Sequence, residues 1–231
     1  MKLLFIALVA IPFAALAADN QLTDQERKDG WVMLFDGHSA DQWLAAPLKG
    51  GVPLPTANIQ DGAINPHKAG GYIIYTRQKY KDFILSLDFK VAPNTNSGIY
   101  VRVGDPKDPT QTGSEIQIED THGHKPDKHT CGALYDVLAP SKEMSKPAGE
   151  WNHIEITADK NIIKVVFNGE QIIQADLDQY TQPGKSIDGT KNKFKKSLKD
   201  KPREGHIGLQ DHDKQDDHNV WFKNIKLKPL D

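Results

Sequence analysis

The stretch D-F-I-L-S-L-D-F-K, Asp82 to Lys90, alternates Phe83, Leu85, Leu87 and Phe89 with Ile84, Ser86, Asp88 and Lys90. Successive side chains of an extended strand point to opposite faces, so this spacing predicts a strand with one apolar face and one mostly polar face. The next two segments repeat the pattern. After the loop A-P-N-T-N, the run S-G-I-Y-V-R-V sets Ile99, Val101 and Val103 against Tyr100 and Arg102. Then G-S-E-I-Q-I-E-D, Gly113 to Asp120, sets Ile116 and Ile118 against Glu115, Gln117 and Glu119. With the isoleucines in a core, Tyr100, Arg102, Glu115 and Gln117 share the opposite face. Carboxylates and an amide on one sheet face suit a groove for a polyhydroxylated ligand.

The rest of the chain follows the same grammar. Short apolar runs occur at Gly30 to Gly37, Asn58 to Asn65, Gly70 to Thr76, Cys131 to Val137, Trp151 to Thr157, Ile162 to Phe167 and Gln171 to Gln174. Two more close the chain at G-H-I-G-L-Q-D-H and N-V-W-F-K-N-I-K-L. Turn signals separate them: Asp36-Gly37, Gly50-Gly51, Gly70-Gly71, and Asn168-Gly169, whose residues tolerate the positive φ of a type I′ hairpin. Thr23 followed three residues later by Glu26 is a capping-box pattern for a short first helix within Asp19 to Lys28. About a dozen short strands with almost no helical periodicity predict an all-β antiparallel sandwich of jelly-roll type.

The first 17 residues carry Lys2, an apolar run and Ala15-Leu16-Ala17, the layout of a cleavable export signal, so residues 18–231 are expected to form one domain in the periplasm or outside the cell. No later run approaches the roughly 20 apolar residues of a membrane span. Cys131 is the single cysteine, which leaves stability to the apolar core. A formal net charge of −2 gives no field that would attract nucleic acid. The basic run from Lys185 to Arg203, with Phe194 and Leu198 as its large apolar residues, reads as a solvated excursion.

The segments G-W-V-M-L-F-D-G, N-S-G-I-Y-V-R, E-I-Q-I-E-D, C-G-A-L-Y-D, P-A-G-E-W-N-H, V-V-F-N-G and G-H-I-G-L-Q-D-H with V-W-F-K-N-I-K-L resemble the 3-keto-disaccharide hydrolase family in order along nearly the whole chain. The resemblance implies a concanavalin A-like sandwich and action on glycosides whose C3 hydroxyl has been oxidised to a ketone. It also implies a functional link to a sugar 3-oxidoreductase. A C3 ketone acidifies the C2 proton, so a base can remove it and the C1 group can leave by β-elimination, with water adding afterwards; direct hydrolysis remains the other route. Glu115, Asp120 and His212 are the catalytic candidates. Arg102, Gln117, Tyr135 and Gln210 are the substrate-binding candidates, Arg102 either holding enolate charge or pairing with a neighbouring carboxylate. The chain departs from the family where Asp213 follows His212 and where Lys223 replaces a common Arg.

His122 and His124, in D-T-H-G-H-K-P-D-K-H with Asp120 and His129, form a candidate ligand set for a divalent metal ion. Trp31 and Trp151 lie in apolar strand contexts and are expected in the core, whereas Tyr135 is expected at the groove. A lectin-like, non-catalytic carbohydrate-binding protein of the same fold is the alternative. A laminarinase-type glucanase fits poorly, because Gln117 stands where its E-x-D-x-x-E strand needs Asp.

Overall fold

Phe83, Leu85, Leu87 and Phe89 do point together into a core, where they are fully buried against Ile154, Ile156, Phe222 and Leu227 of neighbouring strands. The structure, a computed structural model, describes residues 18–45, 52–212 and 215–230. The export signal expected at residues 1–17 and the turn at Gly50-Gly51 lie outside the described residues. So does Asp213.

Thirteen strands are present among the described residues: β1 (Val32–Met33), β2 (Trp43–Leu44), β3 (Ile59–Gln60), β4 (Ala63–Ile64), β5 (Ile73–Thr76), β6 (Phe83–Val91) and β7 (Asn96–Val103), followed by β8 (Ser114–Glu119), β9 (Asn152–Asp159), β10 (Ile162–Phe167), β11 (Glu170–Asp176), β12 (His206–Gln210) and β13 (Val220–Pro229). Two short helices, α1 (Asp24–Lys28) and α2 (Pro109–Thr112), accompany them. The larger sheet runs β11-β10-β9-β6-β13-β4-β3, with β1 also beside β13, and the smaller runs β2-β5-β12-β7-β8. Every strand pair is antiparallel. The all-β antiparallel sandwich is therefore the fold.

Several local expectations hold. Thr23 and Glu26 cap α1 reciprocally. Asn168 and Gly169 take φ of 47° and 86° between β10 and β11, as a type I′ turn requires. In β8, Ile116 and Ile118 enter the core, and β7 pairs Tyr100 with Glu115 and Gly98 with Gln117 across the outer face of the smaller sheet.

Several expectations fail. The β7–β12 register slips between His206 and Gly208, and Arg102 sits at φ 55° as the extra residue of a bulge. A bulge resets the two-residue alternation, so Val103 returns to the Tyr100 face instead of the core between the sheets. Cys131 to Val137 is not a strand: Gly132 at φ 85° and Asp136 at φ 60° coil it, while Leu134 bridges Ile116 and Leu138. It still covers the edge of β8, accepting from Gln117 N–H at Ala133 O (3.0 Å) and donating from Tyr135 N–H to Glu115 O (2.9 Å). Finally, Trp31 and Trp151 are half-buried, not core. The Lys226 Nζ sits 5.6 Å from the Trp31 ring centroid and the Lys223 Nζ 4.5 Å from that of Trp151. Trp43 is the core tryptophan, its indole N–H donating to Leu34 O at 2.9 Å.

The basic run is solvated over most of its length, as expected, with Lys185, Lys191, Lys195, Lys196 and Lys199 exposed, but it is not a loose excursion. Phe194, Leu198 and even Lys201 are buried, so the segment is anchored onto the body of the protein. Its lysine at position 193 is thereby carried over the outer face of the smaller sheet.

Candidate active site

Gly98 in β7 makes room for the site. A Cβ there would meet Glu115 Oε1 at 2.7 Å and Gln210 Oε1 at 3.3 Å, so only a glycine lets the carboxylate lie across the strand. Gly98→Ala is expected to push that carboxylate aside and lower turnover by about 10²-fold, the cost of a misplacement on the order of 1 Å. An unchanged kcat/KM in this variant would show that the carboxylate position is irrelevant.

Around Glu115 a small recess of about 60 Å³ is lined by Tyr72, Asn96, Tyr100, Thr110, Gln117, Tyr135, Lys193, Gln210 and His212. Glu115 is only 8 % exposed. It accepts from Gln210 Nε2 at 3.3 Å and from the Tyr100 hydroxyl, and its Oε2 lies 3.7 Å from Lys193 Nζ. Burial pushes the Glu115 carboxyl above the ordinary carboxylate range, outweighing the pull of Tyr100, Lys193 and Gln210. A base with raised proton affinity is better suited to taking a carbon-bound proton near neutral pH than an ordinary carboxylate.

Gln210 donates to Tyr72 Oη at 3.0 Å and Tyr100 Oη at 3.3 Å, which fixes its amide. Gln117 donates to Asn96 Oδ1 at 3.2 Å and Glu119 Oε2 at 3.0 Å. Both amides are 1 % exposed, and the Oε1 of each has no hydrogen-bond donor. Two buried amide oxygens at the wall of one recess thus lack a donor from the protein itself.

Lys193 is the cation of this site. Its Nζ stands 3.9 Å from the Tyr135 ring centroid, and burial pushes its ammonium below the ordinary lysine range against the charges of Glu115 and Asp136. Beneath it Lys201 is 6 % exposed, donates to Thr110 O at 3.3 Å and to Gly113 O, and is pushed down to about 7, chiefly by burial. His212 stands at the rim with its ring 5.5 Å from that of Tyr72.

Of the expected residues, Glu115, Gln117, Tyr135, Gln210 and His212 are gathered here. Arg102 is not. The bulge turns its side chain toward the junction of the two sheets, where it is 3 % exposed and donates to Lys81 O (2.6 Å), Lys160 O (2.7 Å) and Asp82 Oδ1 (2.7 Å). Asp120 follows the end of β8 and spends Oδ2 on the Asn94 N–H at 3.0 Å, outside the recess lining. His122 and His124 are exposed, and His122 Nδ1 lies 2.6 Å from Ser145 O. Among the described residues no group of three or more His, Cys, Asp or Glu is gathered to hold a metal ion, so the histidine loop does not fit one.

Lys193, Asn96, Tyr72 and Thr110 were not singled out in the sequence. For Lys193 the available signal was Phe194 beside it, an apolar anchor inside a basic run. A much larger cavity of about 540 Å³ lies on the flank of β11, walled by Val137, Leu138, Ile162, Ala175, Tyr180 and Ile187. Its carboxylates are already engaged, Asp176 by Asn161 Nδ2 and Asp188 by Thr190 Oγ1, each at 2.6 Å. The recess at Glu115, with unfilled acceptors and a raised carboxyl, has the chemistry that the larger cavity lacks.

The profile of the 3-keto-alpha-glucoside-1,2-lyase-like domain matches residues 30–228. The chain belongs to that family. A 3-keto-disaccharide hydrolase of Bacteroides thetaiotaomicron is 27 % identical over 237 residues, spanning 88 % of this chain and 79 % of the relative. A candidate glycosyl hydrolase of Parabacteroides distasonis, known from a crystal structure, is 36 % identical with a TM-score of 0.68, covering 74 % of this chain and 88 % of that one. A second from the same organism is 26 % identical with a TM-score of 0.73, over 93 % and 100 % of the two chains. This member of the 3-keto-alpha-glucoside-1,2-lyase-like family is a carbohydrate-active enzyme that works on glycosides.

Proposed function

We propose that the protein is an exported enzyme that cleaves 3-keto-glycosides, 3-keto-disaccharides among them, by removing the C2 proton and expelling the C1 oxygen before water adds. The observation that carries this reading is Glu115, a nearly buried carboxyl of raised proton affinity in a recess with two unfilled amide acceptors. Glu115 takes the C2 proton, Gln117 and Gln210 accept from ring hydroxyls, and Lys193 faces the C3 oxygen with the positive charge that Arg102 cannot bring. His212 at the rim protonates the departing oxygen. The family and the relative from Bacteroides support the keto-sugar substrate, and the leader-like segment 1–17 supports export. No helix among the described residues is long and apolar enough to cross a membrane. A reaction that oxidises a sugar C3 hydroxyl must supply the substrate.

Cleavage of a 3-keto-disaccharide and of its unoxidised parent in deuterium oxide tests the reading. The keto sugar alone should be cleaved, and its product should carry deuterium at C2. Cleavage without deuterium at C2 would establish direct hydrolysis, and equal cleavage of the parent would remove the ketone requirement.

A further inference from the structure

We propose that Lys193 forms an imine with the C3 ketone of the substrate, so that a covalent nitrogen rather than a hydrogen bond draws electrons away from C2. The inference rests on the keto-sugar reading above and deepens it. Its first support is spatial. Lys193 Nζ and Glu115 Oε2 are 3.7 Å apart, a separation that lets one group reach C3 while the other reaches the proton on the adjacent C2. Aldehyde and ketone carbons are attacked by lysine amines when the amine is kept neutral, and a second nearby cation or a desolvated setting does that. Lys193 has the second of these: the Tyr135 ring centroid lies 3.9 Å from its Nζ, and burial pushes its ammonium below the ordinary lysine range against the opposing charges of Glu115 and Asp136.

The second support is how the residue is held. The Lys193 N–H donates to Asp136 Oδ2 at 2.6 Å, and its carbonyl accepts from Gln111 Nε2 at 3.2 Å. Gln111 Oε1 in turn accepts from the Lys195 N–H at 2.8 Å. The backbone is thus pinned on both sides while the side chain, 37 % exposed, reaches the recess. A pinned backbone with the side chain set between Tyr135 and Glu115 suits a nucleophile that must meet one carbon. A lysine needed only for solubility requires none of these ties.

The steps balance without an oxidant or reductant. Glu115 accepts the ammonium proton, and the neutral amine adds to C3 to give a carbinolamine. Glu115 returns that proton to the departing hydroxyl, which leaves as water and generates the iminium. The regenerated carboxylate removes the C2 proton, giving an enamine. The enamine electrons expel the C1 oxygen, which takes a proton from His212, and C1 and C2 become doubly bonded. One water adds across that bond, and a second hydrolyses the imine to release the 3-keto sugar and Lys193.

The test uses the full chain with a 3-keto-disaccharide and sodium cyanoborohydride, followed by proteolysis and mass spectrometry. A sugar adduct on Lys193 is expected, absent with the unoxidised parent. Lys193→Arg, which keeps the charge but cannot form the imine, should lose both the adduct and C2 deuterium exchange at an unaltered melting temperature. Turnover of the keto sugar with no adduct, or normal exchange in Lys193→Arg, overturns the imine and leaves the keto-sugar reading standing. Equal cleavage of both sugars with no adduct overturns both.

Discussion

Replacing Glu115 by Gln is expected to lower kcat/KM for a 3-keto-disaccharide by about 10² to 10⁴-fold, the usual worth of a positioned general base. The amide preserves the shape of the side chain but cannot take a proton. The same substitution should raise the melting temperature at neutral pH, because burial makes the ionised carboxylate costly. The folded protein binds this proton more tightly than the unfolded chain does. Glu115 therefore withdraws stability as pH rises from its ordinary value of 4.5 through its raised folded value. Below that window both states are protonated and the penalty is absent. The melting-temperature advantage of Glu115→Gln should accordingly be small in acid and grow toward neutral pH. Thermal scans from acid to neutral pH would show it, and a gap that does not widen would mean that the carboxylate is not held out of water. In the wild type, the acid limb of kcat/KM should lie above the ordinary carboxylate range for the same reason.

The second large effect belongs to stability rather than turnover. Asp82→Ala leaves the Arg102 guanidinium without its only carboxylate hydrogen bond among the described residues, in a site where both side chains are almost wholly buried. It also strips the Lys160 N–H of its acceptor at 2.8 Å. Breaking a buried pair from one side costs about 3 to 5 kcal/mol, because the remaining charge stays out of water without compensation. An unfolding free energy lowered by about 3 to 5 kcal/mol, read from a shifted denaturant midpoint, with kcat retained in the folded fraction, is expected. An unchanged midpoint accompanied by lost turnover would return Arg102 to substrate binding.

The contrast between Glu115 and Arg102 shows how far local pattern reaches. Both were placed on one sheet face by the same alternation. Glu115 lies in β8, where Ile116 and Ile118 keep the two-residue period intact, and it is found where the alternation puts it. Arg102 is the residue at which that period breaks. Nothing in V-R-V announces the bulge. Its neighbour in space is the distant Gly205, which passes so close that a Cβ there would come within 2.4 Å of the Arg102 carbonyl carbon.

Chain-local rules were enough where the signal lies within the element itself. The capping box at Thr23, the type I′ turn at Asn168-Gly169 and the inward faces of β6 and β8 follow from dihedral preferences and from the exclusion of apolar side chains from water. These by themselves determined the antiparallel sandwich and the placing of Glu115 and Gln117 away from its core. Tertiary structure alone decided that Lys193 stands 3.7 Å from Glu115, 78 positions away in the chain (193 minus 115). In a run with seven lysines each ammonium looks alike locally. Which one is desolvated depends on the burial of Phe194, Leu198 and Lys201 against distant strands, and that packing has no signature within the run itself.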